Sequence, residues 1–172
     1  MAHHSLFDFT QPGGINLWRA VNDDVMGGVS SGMAGITSTG TLLFSGTISL
    51  ANNGGFASIR TNSFEFQLLP SDSFQVRMRG DGRVYSMNLY IRQQLRAFSY
   101  RAMLPSICNE WTETKLPLGQ FVATQFGRPV AGAGRVEPAE IASIGFMLAD
   151  AKQGPFCLEV ESIGVVKANG SP

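Results

Sequence analysis

Two stretches of the sequence crowd polar side chains against glycine: Asn22-Asp23-Asp24-Val25-Met26-Gly27-Gly28-Val29-Ser30 and Asn52-Asn53-Gly54-Gly55-Phe56-Ala57-Ser58. Adjacent carboxylates suggest glycosidic acid-base work, in which two carboxyl groups flank one bond, and Glu110 with Glu113 beside Trp111 makes a second such pair. Asp23 and Asp24 fit this poorly, because neighbours in an extended segment point to opposite sides. A nucleophilic triad needs a base beside Ser, Cys or Thr, and the only histidines are His3 and His4, expected to be a solvated terminus or expression remnant rather than a ligand pair. Gly27, Gly28 and Gly32 lack the lysine of a phosphate loop. Asp23, Asp24, Asn52 and Asn53 offer oxygens for calcium, but at no recognised spacing. The expectation is a chain with no catalytic residues, no metal and no cofactor. Asn22, Asp23 and Asp24 are then read as acceptors for backbone N–H groups that pin the glycine turn, with partner or ligand contact as the alternative.

A second constellation has sugar-binding character. Sugar C–H faces stack on aromatic rings while hydroxyls need polar partners, and Trp18, Trp111, Tyr90, Arg60, Arg92 and Asn88 supply both kinds of group. Asn88, Tyr90 and Arg92 share the polar phase of one strand, which predicts either a binding face or a solvated outer face. Trp18 is expected in the core.

The elements that must carry these residues read as strands. In Thr41–Leu50, Leu42, Phe44, Ile48 and Leu50 fall on one face and Ser45, Thr47 and Ser49 on the other. Phe74–Arg79 alternates, Gly80-Asp81-Gly82-Arg83 supplies turn chemistry, and Tyr85, Met87, Leu89 and Ile91 resume the apolar face, which predicts a hairpin. Its Arg79-Gly80-Asp81 tripeptide is explained by the turn. Leu6–Phe9, Leu17–Val21, Phe56–Thr61, Ala97–Met103, Thr112–Leu118, Ile141–Leu148 and Phe156–Val166 complete roughly ten segments. Gly119–Pro138 is expected to be an exposed excursion, and Pro138-Ala139-Glu140 a single helical turn. Gly27, Gly28, Gly54 and Gly55 shape the two loops, where helical backbone would cost about 0.5–1 kcal/mol per glycine. Strands with one apolar face need a second sheet to cover it, so the fold class is all-β, an antiparallel β-sandwich.

Bulk properties narrow the partners. The 172 residues suit one domain with a sizeable core, and 13 basic against 13 acidic residues leave no whole-chain field to attract nucleic acid. No apolar run reaches the roughly 20 residues of a transmembrane helix, and no signal peptide is evident, so a cytoplasmic location is expected. Cys108 and Cys157 are expected to be free thiols, Cys157 as a small buried hydrophobe between Phe156 and Leu158.

The two glycine stretches resemble the signatures of the complex I intermediate-associated protein family. Ordered blocks strengthen the likeness: Arg79-Gly80-Asp81-Gly82-Arg83-Val84-Tyr85, Trp111 followed by Leu116-Pro117-Leu118, Ile144-Gly145-Phe146, and Pro155-Phe156-Cys157-Leu158-Glu159, within a family-like region of about 18–166. The resemblance implies a jelly-roll of the galactose-binding-domain-like type. It also implies a non-catalytic module that binds protein subunits of a membrane-bound electron-transfer complex during assembly. The chain is little more than that region, which suggests a bacterial, cytoplasmic relative at the periphery of membrane complexes. A carbohydrate-binding module is the alternative, and an enzyme of unrecognised type comes last.

Overall fold

The computed structural model describes residues 3–92 and 98–168; Ala97, where one expected strand begins, lies outside them. In chain order the strands are β1 (His3–Ser5), β2 (Trp18–Ala20), β3 (Ser31–Ile36), β4 (Leu42–Ile48), β5 (Ala57–Thr61), β6 (Ser73–Arg79), β7 (Val84–Ile91), β8 (Ser99–Pro105), β9 (Trp111–Pro117), β10 (Val122–Gln125), β11 (Arg128–Pro129), β12 (Ile141–Leu148) and β13 (Gly154–Val166). They build two antiparallel sheets, one ordered β3-β4-β13-β6-β9 with β1 also on β13, the other β11-β10-β8-β7-β12-β5-β2. The protein is an all-β sandwich, as the alternation predicts, with the jelly-roll form that the resemblance implies. Among the described residues, helix is confined to short 3-10 turns, one of them Pro138–Glu140.

Period-two patterning explains the core. Leu42, Phe44 and Ile48 of β4, Phe74, Val76 and Met78 of β6, Tyr85, Met87 and Leu89 of β7, and Ile144, Phe146 and Leu148 of β12 are fully buried between the sheets. Each such side chain contributes roughly 1.5–3 kcal/mol relative to exposure. In β13 the alternation through Phe156, Leu158 and Val160 is interrupted by a bulge before Ser162, which lets Ile163 and Val165 face inward as well.

The expected hairpin is instead a crossing between sheets. β6 pairs with β9 and β13, whereas β7 pairs with β8 and β12. Long-range tethers decide the path of the Gly80–Arg83 turn. The Asp81 carboxylate accepts from the Tyr85 hydroxyl at 3.0 Å and from the Cys157 N–H at 2.9 Å. Arg83 forks onto Asp150 at 2.9 and 2.6 Å and also donates to the carbonyls of Lys152, Gly154 and Pro155. The hydrogen bond from Arg83 holds the Asp150 carboxyl below its ordinary range, against the opposing effect of burial.

Other segments depart from expectation for similar reasons. Ser31–Ile36 forms a strand on β4 that its small residues did not announce. His3 and His4 pair with Val166 and Val165, so the terminus is an exposed edge strand, while Phe7 and Phe9 pack as loop aromatics against Trp18. Leu50 lies beyond β4 and is exposed. Cys157 points outward on β13; both it and Cys108 are exposed free thiols. Part of the Gly119–Pro138 excursion is structured, because β10 joins β8 and buries Ala123 beside Phe121 and Val136.

Both Arg83 and Asp150 are largely buried, with side-chain exposures of 13% and 9%. Arg83→Ala would therefore strand a buried carboxylate, and urea denaturation should report a loss of about 3–5 kcal/mol. A loss under about 1 kcal/mol would mean that this pair does not hold the crossing.

Candidate functional site

The two signature loops occupy one corner of the sandwich. The chain passes from β2 in one sheet to β3 in the other through residues 21–30, and returns from β4 to β5 through residues 49–56. Because β2 pairs with β5 and β3 with β4, both crossings lie at the same edge.

Asp23 joins them. Its carboxylate is fully buried; Oδ1 accepts the Ser30 N–H at 2.9 Å, and Oδ2 accepts the Gly55 N–H at 2.7 Å and the Phe56 N–H at 3.3 Å. The Ser30 hydroxyl adds a second tie, donating to the Ser49 carbonyl at 3.1 Å and accepting its N–H at 2.9 Å. Glycine is needed beside this carboxylate because a Cβ on Gly28 would lie 2.4 Å from Asp23 Cγ, and one on Gly54 2.5 Å from Oδ2. Gly27 ends the 3-10 turn Asp23–Met26 in the left-handed region, with φ +83, and the Asn52 side chain donates to its carbonyl. Burial pushes the Asp23 carboxyl up, but the hydrogen bonds of Ser30, Gly55 and Phe56 outweigh it and hold the group below its ordinary value.

The neighbours of Asp23 do different things. Asn22 donates to the Gly32 carbonyl at 3.1 Å instead of accepting, and its Oδ1 is buried without a partner among the described residues. Asp24 is exposed and its carboxylate has no hydrogen-bond partner among the described residues, so only one of the two acid side chains pins the loop. Beside Asp24, Val25, Met26 and Val29 are 69%, 52% and 59% exposed.

The sugar-type constellation is not assembled. Trp18 is buried, stacked on Phe146. Trp111 stands on β9 in the sheet opposite to Tyr90, under Arg77 and Arg79, whose charges are met by Glu161 at 2.5 Å and Glu159 at 2.7 Å. Arg92 follows the end of β7 and donates to the Phe64 carbonyl at 3.4 Å. Arg60, Asn88 and Tyr90 do share the outer face of the seven-stranded sheet, where the Arg60 guanidinium lies 4.1 Å from the Tyr90 ring centre. Asn88 is fully buried rather than solvated: Ser86 donates to its Oδ1 at 2.9 Å, and the hydroxyl of Tyr90 and the sulfur of Met147 stand within 3.5 and 3.7 Å of Nδ2. Sequence reasoning missed Arg101, which reaches the same Met147 sulfur at 3.2 Å from β8. Asp23 and Asp24 belong to the corner and do not converge with Arg60 or Arg92.

A family model described as Complex I intermediate-associated protein 30 matches residues 7–160, a span that contains both loops. Mouse Complex I intermediate-associated protein 30, mitochondrial, is 34% identical over 99 residues, covering 55% of this chain. The match takes in only 30% of the mouse protein's length. Among solved structures, a family 11 carbohydrate-binding module from Clostridium thermocellum, in complex with a β-1,3-1,4-mixed-linked tetrasaccharide, has a TM-score of 0.71 at 16% identity, covering 96% of each chain. A family 30 carbohydrate-binding module of a cellulosomal cellulase of the same organism has a TM-score of 0.64 at 11% identity, covering 99% of this chain and 100% of its own. At such identities the likeness speaks for the fold alone.

Asp23→Ala would leave three corner N–H groups without an acceptor and should lower stability by about 2–4 kcal/mol, whereas Asp24→Ala should change it by no more than about 0.5 kcal/mol. Equal melting temperatures for the two variants would overturn the pinning role. The pH dependence has a definite sign. Since the folded pKa of Asp23 lies below the unfolded one, its contribution is complete above about pH 4 and fades as the pH falls through the lower folded value. Asp23→Asn should therefore flatten the acid limb of the stability profile, measured by denaturation at stepped pH.

Proposed function

The chain belongs to the complex I intermediate-associated protein 30 family, and we propose that it is a non-catalytic module that binds protein subunits during assembly of a membrane-bound electron-transfer complex. One observation carries this reading beyond the family name. The corner loops are fixed from inside by Asp23, and they hold Val25, Met26 and Val29 in water beside the free carboxylate of Asp24. Large apolar side chains clustered on a rigid loop fit burial by a protein partner. An acidic residue at the rim would add orientation more than affinity.

The non-catalytic part of the proposal draws support from the side chains available. His3 and His4 sit together on an exposed edge strand, and among the described residues no three of His, Cys, Asp and Glu group closely enough to hold a metal ion. No helix of the described chain is long and apolar enough to cross a membrane. The carbohydrate alternative rests on the fold likeness, and the two tryptophans counted toward it are spent elsewhere, one in the core and one on the other sheet.

Affinity purification from the native host tests the proposal. The wild-type chain should recover subunits of one membrane complex, and a Val25→Ser, Met26→Ser double variant should lose at least tenfold of that recovery while its melting temperature stays within about 2 °C. Undiminished recovery by the variant would remove the corner from the interface. Absence of any such subunits, with saturable binding of a glycan, would replace the reading by the carbohydrate one.

A further inference from the structure

The two faces of the sandwich carry charge very differently. The strands of the six-stranded sheet hold Arg77, Arg79 and Lys115 against Glu113, Glu159 and Glu161. The strands of the seven-stranded sheet contain no Asp or Glu at all, yet hold Arg19, Arg60, Arg101 and Arg128. The near neutrality of the whole chain conceals this separation.

Strand register brings two of these arginines over one spot. Arg60 pairs with Gly145, Gly145 with Asn88, and Asn88 with Arg101, so the four form a single row across β5, β12, β7 and β8. Arg60 reaches the Tyr90 ring on β7 and Arg101 the Met147 sulfur on β12, residues that stand two positions from the row on opposite sides of it. Between them Gly145 has no side chain and Asn88 is fully buried, with Ser58, Ser86 and Ser143 buried around it. Two arginines thus border a buried polar patch. The Nε of each is buried without a hydrogen-bond partner, and among the described residues neither is in a salt bridge. A buried donor left unmet costs about 1–3 kcal/mol. An anion seated between the two guanidiniums would relieve both, since the planar fork of arginine matches the oxygens of carboxylate and phosphate.

We propose that the outer face of the seven-stranded sheet binds a small-molecule oxyanion, a carboxylate or phosphate group held between Arg60 and Arg101 above Gly145 and Asn88. The site discriminates against neutral sugars. A glucan chain needs an open aromatic face on which to stack, and Tyr90, the sole aromatic on this face of the described strands, has its ring covered by Arg60. This site is separate from the corner loops, so it stands whether or not those loops bind a protein.

Titration of the isotope-labelled chain, followed by NMR at the backbone amides and arginine Nε–H groups, tests the proposal. Three probes are used: inorganic phosphate, digalacturonate and a neutral mixed-linked tetrasaccharide. Phosphate or digalacturonate should give saturable shifts at Asn88, Gly145 and the Nε–H groups of Arg60 and Arg101, and the tighter of the two identifies the source of the anion. Arg60→Gln and Arg101→Gln should each weaken that binding at least tenfold. The wild-type titration reads the site directly even if a variant misfolds. No saturable shift with either anion, shifts confined to other faces, unchanged affinity in both folded variants, or tetrasaccharide bound here as tightly as digalacturonate would overturn it.

Discussion

A carboxylate removed completely from water costs several kcal/mol unless its lone pairs are met, and one buried side chain carries that burden at the corner of this sandwich. Asp23 meets the cost with three backbone N–H groups drawn from two loops that are distant in sequence. A sandwich whose strands change sheets twice at one edge has loop ends that could otherwise splay. Here the two crossings share an acceptor, so neither can move without uncovering the Asp23 charge. Gly28 and Gly54 follow from the same constraint, because each leaves the volume that the carboxylate fills.

The interior of the two signatures is thereby accounted for by folding, which sharpens what is left outside. The side chains of Asp24, Val25, Met26 and Val29 contribute nothing to the corner's own hydrogen bonding among the described residues, yet they are displayed on it. The Gly80–Arg83 crossing uses the same strategy with opposite polarity. There a buried guanidinium, Arg83, collects a carboxylate and three carbonyls from the turn before and the start of β13, while Asp81 ties the turn to Cys157. Both family blocks are thus places where the chain changes sheets around one ionised side chain, and this gives a physical reason for polar residues and glycine to occur together in them.

Strand identity was legible because alternation is a local property: β4, β6, β7, β12 and the first half of β13 follow from it residue by residue. Strand partnership was not. Gly80-Asp81-Gly82-Arg83 has the composition of a hairpin turn, and what sends it across the sandwich is a contact with Asp150, 67 residues away. β3 escaped notice because Ser31-Gly32-Met33-Ala34-Gly35-Ile36 offers too few large side chains to show a period. At the corner, a backbone-accepting role was readable from acid beside glycine. Which acid performs it was not, since Asp23 and Asp24 differ only in the direction that the 3-10 turn gives them. Asn88 was misjudged because alternation assigns a face, not an exposure, and long side chains on neighbouring strands can bury a polar residue on the outer side.

Arg101 shows the limit of reading charge along the chain. It lies in no motif, and the balance of 13 basic and 13 acidic residues gives no reason to single it out. Only when strands are sorted into sheets does one face prove to contain arginines without acids, while the other pairs Arg77 with Glu161 and Arg79 with Glu159. Solvent screening makes the exposed Arg77–Glu161 pair nearly neutral in energy. Partly buried arginines of the first kind are different: desolvation lowers the pKa of Arg101, which means that the fold holds its charge at a cost. No described hydrogen bond within the chain repays that cost at Nε. An acid-free sheet face carrying two arginines with unmet Nε donors is more economically explained by a ligand that supplies the missing negative charge than by the stability of the sandwich itself.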